Sequence, residues 1–133
     1  MPQETVELAH RAYGAFNRRD LEAFLAFLDP EVEFTARTVE MGGDPSLRGH
    51  DGIRRWWRDL FAVFPDYKVE VLEVRDLGDS AIVALRARGH GLESDVPIDE
   101  ALWHVHKMRD GKSTWWQPFR SEAEALEAAG LLH

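Results

Sequence analysis

The apolar residues of this chain change period at Pro65. Before it they recur mainly at helical spacing; after it they alternate, as strands do. Val6, Ala9, Tyr13 and Phe16 mark one face of a first helix, widened by Leu8, Ala12 and Ala15. Asn17-Arg18-Arg19-Asp20 reads as a stop and a restart. Asn tolerates the left-handed turn that ends a helix, and Asp20 suits the N-cap of the next. Leu21, Phe24, Leu25 and Leu28 predict a second, short helix ended by Asp29-Pro30. Val32, Phe34 and Ala36 alternate with polar residues and predict a strand. Met41 to Gly49 reads as a loop. A third helix is expected from His50-Asp51-Gly52, capped near Asp51, with Ile53, Trp56, Trp57, Leu60 and Phe64 as its buried stripe.

Beyond Pro65 strands are predicted at 67–77, 80–90, 98–109 and 113–120. Leu77-Gly78-Asp79-Ser80 and Arg109-Asp110-Gly111-Lys112 are the hairpin turns, the second carrying the Asp-Gly signal of a type I′ turn. Ser121 followed by Glu124 is a capping-box pattern for a last helix ended by Gly130. Helices before a run of strands predict an α+β architecture. Large apolar groups on both faces of the strand at 98–109 predict helices on one face and a partner on the other, hence a homodimer.

Composition narrows the functional classes. A chain of 133 residues supports one domain, 1–133, with a real core. The net charge of −8 repels phosphate backbones, so no nucleic-acid partner is expected. Ala23 to Leu28 is apolar but far too short to cross a bilayer, so no membrane partner is expected either. No basic segment precedes an apolar one, which argues against a secretory leader. The absence of cysteine removes thiol nucleophiles and thiolate metal sites and fits a cytoplasmic location.

The order of elements, with several local strings, resembles the SnoaL-like proteins of the nuclear-transport-factor-2-like superfamily. The strings are Ala15-Phe16-Asn17-Arg18-Arg19-Asp20-Leu21, Leu28-Asp29-Pro30-Glu31-Val32-Glu33-Phe34, Leu47-Arg48-Gly49-His50-Asp51-Gly52-Ile53 and Arg109-Asp110-Gly111-Lys112. The resemblance implies a cone-shaped barrel of curved antiparallel sheet, wrapped by three N-terminal helices, with a short C-terminal helix. It implies a mostly apolar pocket inside the cone. Members of the superfamily include ketosteroid isomerase, limonene epoxide hydrolase, scytalone dehydratase, polyketide cyclases and proteins without catalysis.

Carried over residue by residue, the isomerase pattern fails here. Its catalytic tyrosine matches Ala12, and Tyr13, about 100° further round the helix, does not inherit the role. Its general-base aspartate matches Phe34, and its oxyanion-hole aspartate, counted back from Gly111-Lys112, matches His104 with a one-residue gap or Trp103 without it. Steroid-isomerase chemistry is therefore not expected.

On that register His104 points into the cone with Glu100, Leu102 and His106, since strand residues two apart share a face. A histidine near a carboxylate in an apolar pocket can exchange protons near neutral pH. His104 is the candidate proton carrier and Glu100 its partner; a core histidine satisfied by one hydrogen bond is the plain alternative. Arg37 and Arg120 are candidate anion stabilisers, or else a surface charge and a structural ion pair. Phe16, Phe34, Trp56 and Trp116 are expected to line the cone, as a ligand site or as ordinary core. His104-Val105-His106 could offer two imidazoles to a metal, but neither metal nor cofactor is expected. The partner implied is a small apolar or aromatic molecule. The chemistry, if any, would be cofactor-free isomerisation, dehydration, hydrolysis or cyclisation; the alternative is a non-catalytic ligand-binding or dimeric interaction module.

Overall fold

The computed structural model describes residues 2–35, 47–92 and 97–131. Its elements are α1 (Pro2–Asn17), α2 (Leu21–Leu25), β1 (Leu28–Phe34), α3 (Gly49–Val63), β2 (Lys68–Asp76), β3 (Ser80–His90), β4 (Pro97–Arg109), β5 (Lys112–Phe119) and α4 (Glu122–Leu131). The strands form one curved, unclosed sheet in the order β1-β5-β4-β3-β2. The pairs from β2 to β5 are antiparallel, while β1 joins the edge parallel to β5. Helices α1 to α3 pack over the inner face, and α4 lies on the outer one. This is the α+β cone that the resemblance implied.

The second helix is shorter than its apolar pattern suggested. It ends at Leu25, and the chain is already extended at Leu28, so Pro30 lies within β1 and not beyond a helix. An edge strand tolerates proline because one side of its backbone needs no ladder partner. The left-handed residue at the first break is Arg19 (φ 63°), not Asn17. Asn17 instead clamps β2: Nδ2 donates to the Val69 carbonyl at 2.7 Å and Oδ1 accepts from the Val69 N–H at 3.0 Å. Arg19 reaches back to the Pro65 and Tyr67 carbonyls at 3.0 and 2.7 Å and covers the Phe61 ring. These contacts hold the C-terminal end of α1 against the sheet. Asp20 caps α2 as expected, accepting from the Ala23 N–H at 3.2 Å.

Helix α3 begins at Gly49 rather than near Asp51, and Arg48 at its N-cap makes no side-chain capping bond. Gly49 has φ +63°, and a Cβ there would stand 2.7 Å from the Pro30 carbonyl oxygen. Only glycine lets α3 approach β1 this closely. Asp110 and Gly111 both have positive φ (52° and 76°), the backbone that a type I′ hairpin requires. At Ser121 the expected capping pair forms in part. Its hydroxyl oxygen accepts from the Glu124 N–H at 3.1 Å, but the Glu124 carboxylate meets that same hydroxyl.

The inner core runs from α1 through Phe24, Trp56 and Trp116 to Leu85 and Leu102. The outer face of the sheet is partly covered by the chain itself: Ala125 and Ala129 of α4 pack on Ile82 and Val105. Trp103, Trp115 and Phe119 flank them and remain partly buried. Among the described residues no helix is long and apolar enough to cross a membrane.

Candidate functional site

The site grows from the inner face of β4. Leu102, His104 and His106 alternate along it and pair with Leu85, Val83 and Ala81 of β3 respectively. On the other side Trp116 of β5 pairs with His106 and stacks on it, with ring centroids 6.0 Å apart and planes 10° apart. Between Lys107 and Met108 the pairing slips, so that Trp115 faces Lys107 while Ser113 faces Met108. Thr114 is the extra residue of this β-bulge. In a regular strand Ser113 and Trp116 would point to opposite faces; the bulge turns both inward.

Tyr13 descends from α1 between the two histidines. Its hydroxyl lies 2.7 Å from His104 Nδ1 and 2.9 Å from His106 Nε2. His106 Nδ1 lies 2.8 Å from Ser113 Oγ, and the Ser113 hydroxyl donates to the Trp115 carbonyl at 3.1 Å. All four side chains are buried, with His104 7% exposed. Burial disfavours charge on each ring. It pushes His104 well below the usual histidine range, aided by repulsion from His106, and lowers His106 to about 3. Burial also raises Tyr13 well above the usual phenol value. The cluster is neutral at pH 7. Among the described residues His104 Nε2 has no protein partner, so it is the nitrogen left to the cavity.

That cavity is lined by Tyr13, Phe16, Phe24, Trp56, Leu60, Tyr67, Val69, His104 and Trp116. Its volume is about 30 Å³, room for about two waters and not for a ring system at rest. Rings close it: Phe16 stacks on Trp56 at 6.0 Å, and Trp56 meets Trp116 edge-on at 5.3 Å. The indole N–H groups of Trp56 and Trp116 are buried and find no hydrogen-bond partner among the described residues. A buried donor left unpaired is costly, so both indoles gain from an acceptor oxygen brought into the cavity.

The expected residues divide. His104, Phe16, Trp56 and Trp116 come together around the cavity. Phe34 stands behind it, stacked on Trp116 at 5.8 Å, and does not line it. Glu100 shares a strand face with His104 but lies about 13 Å along the strand, opposite Ala87 and away from the cavity. The partner of His104 is the phenol of Tyr13, not a carboxylate. Arg120 is exposed past the end of β5 and does not line the cavity either. Arg37 lies outside the described residues. No group of three metal-ligating side chains occurs among the described residues, and the two imidazoles converge on a hydroxyl instead.

Tyr13 and Ser113 were missed for different reasons. Counting from Asn17 put the isomerase-like position on Ala12, yet Tyr13 lies on the buried stripe that the periodicity of α1 already marked. A buried tyrosine hydroxyl needs a polar partner, and the inward His104 and His106 were available. Ser113 had no such signal, because a bulge is invisible in an alternating pattern.

A curved, unclosed sheet wrapped by helices is the nuclear-transport-factor-2-like cone fold. The SnoaL-like domain profile matches residues 9–116, and the chain belongs to that family. Among solved structures it is similar to a protein of unknown function from Burkholderia pseudomallei, at 21% identity over 93% of this chain and 95% of the other, with a TM-score of 0.78. It is also similar to TerC, solved with polyporic acid, at 22% identity over 96% and 98%, TM-score 0.76. A third likeness is to IdmH, a candidate polyketide cyclase from Streptomyces antibioticus, at 21% identity over 95% and 98%, TM-score 0.72. No curated protein sequence matches significantly.

Proposed function

We propose that this protein binds a small, neutral, apolar or aromatic molecule in the cone, and that His104 exchanges a proton with it. The observation that carries the proposal is a neutral imidazole with one nitrogen held by Tyr13 and the other left to an aromatic cavity. The reaction class is cofactor-free acid–base chemistry: isomerisation, dehydration, hydrolysis or cyclisation. Glu100 stands too far out to share the proton with His104, and Arg120 too far out to stabilise an anion in the cavity. The two indole N–H groups are better placed to receive a carbonyl oxygen. Trp56 and Trp116 must swing aside for a ring to enter, so binding is coupled to their rotation. The co-crystallisation of TerC with polyporic acid supports a small-molecule ligand for a fold of this kind. The half-buried Trp103, Trp115 and Phe119 beside α4 support a homodimer through the outer face.

The test is tryptophan fluorescence titrated with flat probes, 2-naphthol and cyclohexenone, followed by a turnover screen of cyclic ketones, epoxides and hydroxy compounds. Trp116→Ala should shift probe affinity at least several-fold, and His104→Ala should abolish turnover while probe binding survives. Probe affinity unchanged by Trp116→Ala would place the ligand elsewhere, and turnover retained by His104→Ala would remove His104 from the chemistry; either ends the proposal.

A further inference from the structure

We infer that Ser113, which does not line the cavity, sets which hydrogen-bonding face His104 shows to it, acting through His106 and Tyr13. This rests on the ligand site proposed above and specifies the state of its imidazole.

The argument is one of proton counting along a chain of single-proton groups. The Ser113 hydroxyl has one hydrogen, and the Trp115 carbonyl can only accept. With that hydrogen on the carbonyl, Ser113 Oγ is an acceptor toward His106 Nδ1, which must carry the proton. A neutral imidazole has one N–H, so His106 Nε2 is bare and accepts from the Tyr13 hydroxyl. The Tyr13 oxygen, having spent its hydrogen, accepts from His104, whose proton must then sit on Nδ1. His104 Nε2 is left with a lone pair. Each assignment forces the next, because a mismatch anywhere puts two hydrogens or two lone pairs face to face in a buried site.

Neutrality holds the chain to this logic. Among the described residues the hydrogen-bond and ring partners of the two imidazoles, besides each other, are Tyr13 from α1, Phe27 before β1, and Ser113 and Trp116 from β5; none is charged. A protonated His106 would donate from both nitrogens and break the sequence, whereas His104 can take a proton on Nε2 without disturbing it. With the serine in place His104 Nε2 offers the cavity an acceptor, beside the two indole donors. That set suits a ligand carrying a carbonyl oxygen together with a hydroxyl or an acidic C–H. Transfer of that proton to Nε2 gives an imidazolium and a ligand anion; the imidazolium returns the proton to another ligand atom, so no net charge leaves the site.

Without the Ser113 hydroxyl, His106 Nδ1 faces a methyl group. An orphaned N–H is worse tolerated than an orphaned lone pair, so the proton moves to Nε2 and the chain reverses. His106 then donates to Tyr13, Tyr13 donates to His104 Nδ1, and His104 shows an N–H to the cavity. Ser113 is thus a positioning residue: it makes no contact with the ligand, yet decides whether the cavity meets a base or a donor.

The test is 15N NMR of the protein with labelled histidine at pH 7, in which bare and protonated ring nitrogens resonate apart. It needs no ligand, so it can fail or succeed independently of the binding experiment. The wild type should show His104 and His106 both neutral and both Nδ1–H. Ser113→Ala should turn both to Nε2–H, and Ser113→Thr, which keeps a hydroxyl, should keep the wild-type pattern. In Tyr13→Phe the tautomer of His104 should be the same whether residue 113 is serine or alanine. Opposite tautomers in the wild type, a charged ring at pH 7, or a Ser113→Ala spectrum with His104 unchanged would overturn the inference. If Ser113→Ala does not fold, the wild-type tautomers decide it.

Discussion

Acid should unfold this protein through its two inner histidines before its carboxylates matter. Both rings are neutral in the folded state, His106 with its value lowered to about 3 and His104 lowered well below the usual range, by burial first. In the unfolded chain each returns to about 6.5. The unfolded state therefore binds more protons between these values, and stability rises with pH there. The contribution is complete above about 6.5 and is lost as pH falls toward the folded value. At about 1.4 kcal/mol per unit, each histidine that stays neutral in the fold costs about 2 kcal/mol by pH 5, about 4 kcal/mol for the pair. That is a large share of the roughly 5–15 kcal/mol that holds a domain of this size together. Asp66 and Asp99 are also held below the usual carboxylate value, by hydrogen bonds from His90 and from Arg86 respectively. Their loss comes only as pH approaches about 4 and below, so the range from pH 7 to 5 belongs to the histidines. Urea unfolding followed by tryptophan fluorescence at half-unit pH steps measures the effect. The slope should approach two protons near pH 5, and His104→Asn should reduce it to one. Stability flat between pH 7 and 5, or higher at pH 5, would refute two buried neutral imidazoles.

Two further substitutions test how the site is held. Gly49→Ala puts a Cβ at 2.7 Å from the Pro30 carbonyl oxygen on a backbone of φ +63°. Strain and forced displacement together should cost about 2–4 kcal/mol in urea unfolding; a cost below 1 kcal/mol would mean α3 does not press on β1 as described. Asn17→Ala removes both bonds to Val69 and should cost about 2–3 kcal/mol. It should also speed hydrogen exchange at the Val69 amide, and unchanged protection there would show that α1 is held by other contacts.

The parts of the site that were legible in the sequence are those governed by local rules. His104, Phe16, Trp56 and Trp116 were placed inward by strand alternation, by helical spacing and by a register anchored on the Asp110-Gly111 turn, and they meet at the cavity. Glu100 shows the limit of that reasoning. Alternation correctly gave it the same face as His104, but a shared face says nothing about distance along the strand. Arg120 fails similarly, since a residue just past a strand end follows the loop. The sequence match to the isomerase pattern pointed one residue away from Tyr13, because α1 can slide and rotate against the sheet by amounts that counting cannot see.

What the amino-acid sequence determined alone is the order of elements, the turn at Asp110-Gly111, the cap at Asp20 and the buried stripes of the first three helices. These follow from backbone sterics, side-chain capping and periodicity, all of which act within a few residues. Only the tertiary structure decided that β1 joins β5 in parallel, that a bulge at Thr114 turns Ser113 inward, and that Tyr13 falls between two histidines more than ninety residues away. Those outcomes depend on how separate elements dock, where packing of whole faces and the pairing of buried polar groups outweigh any local preference.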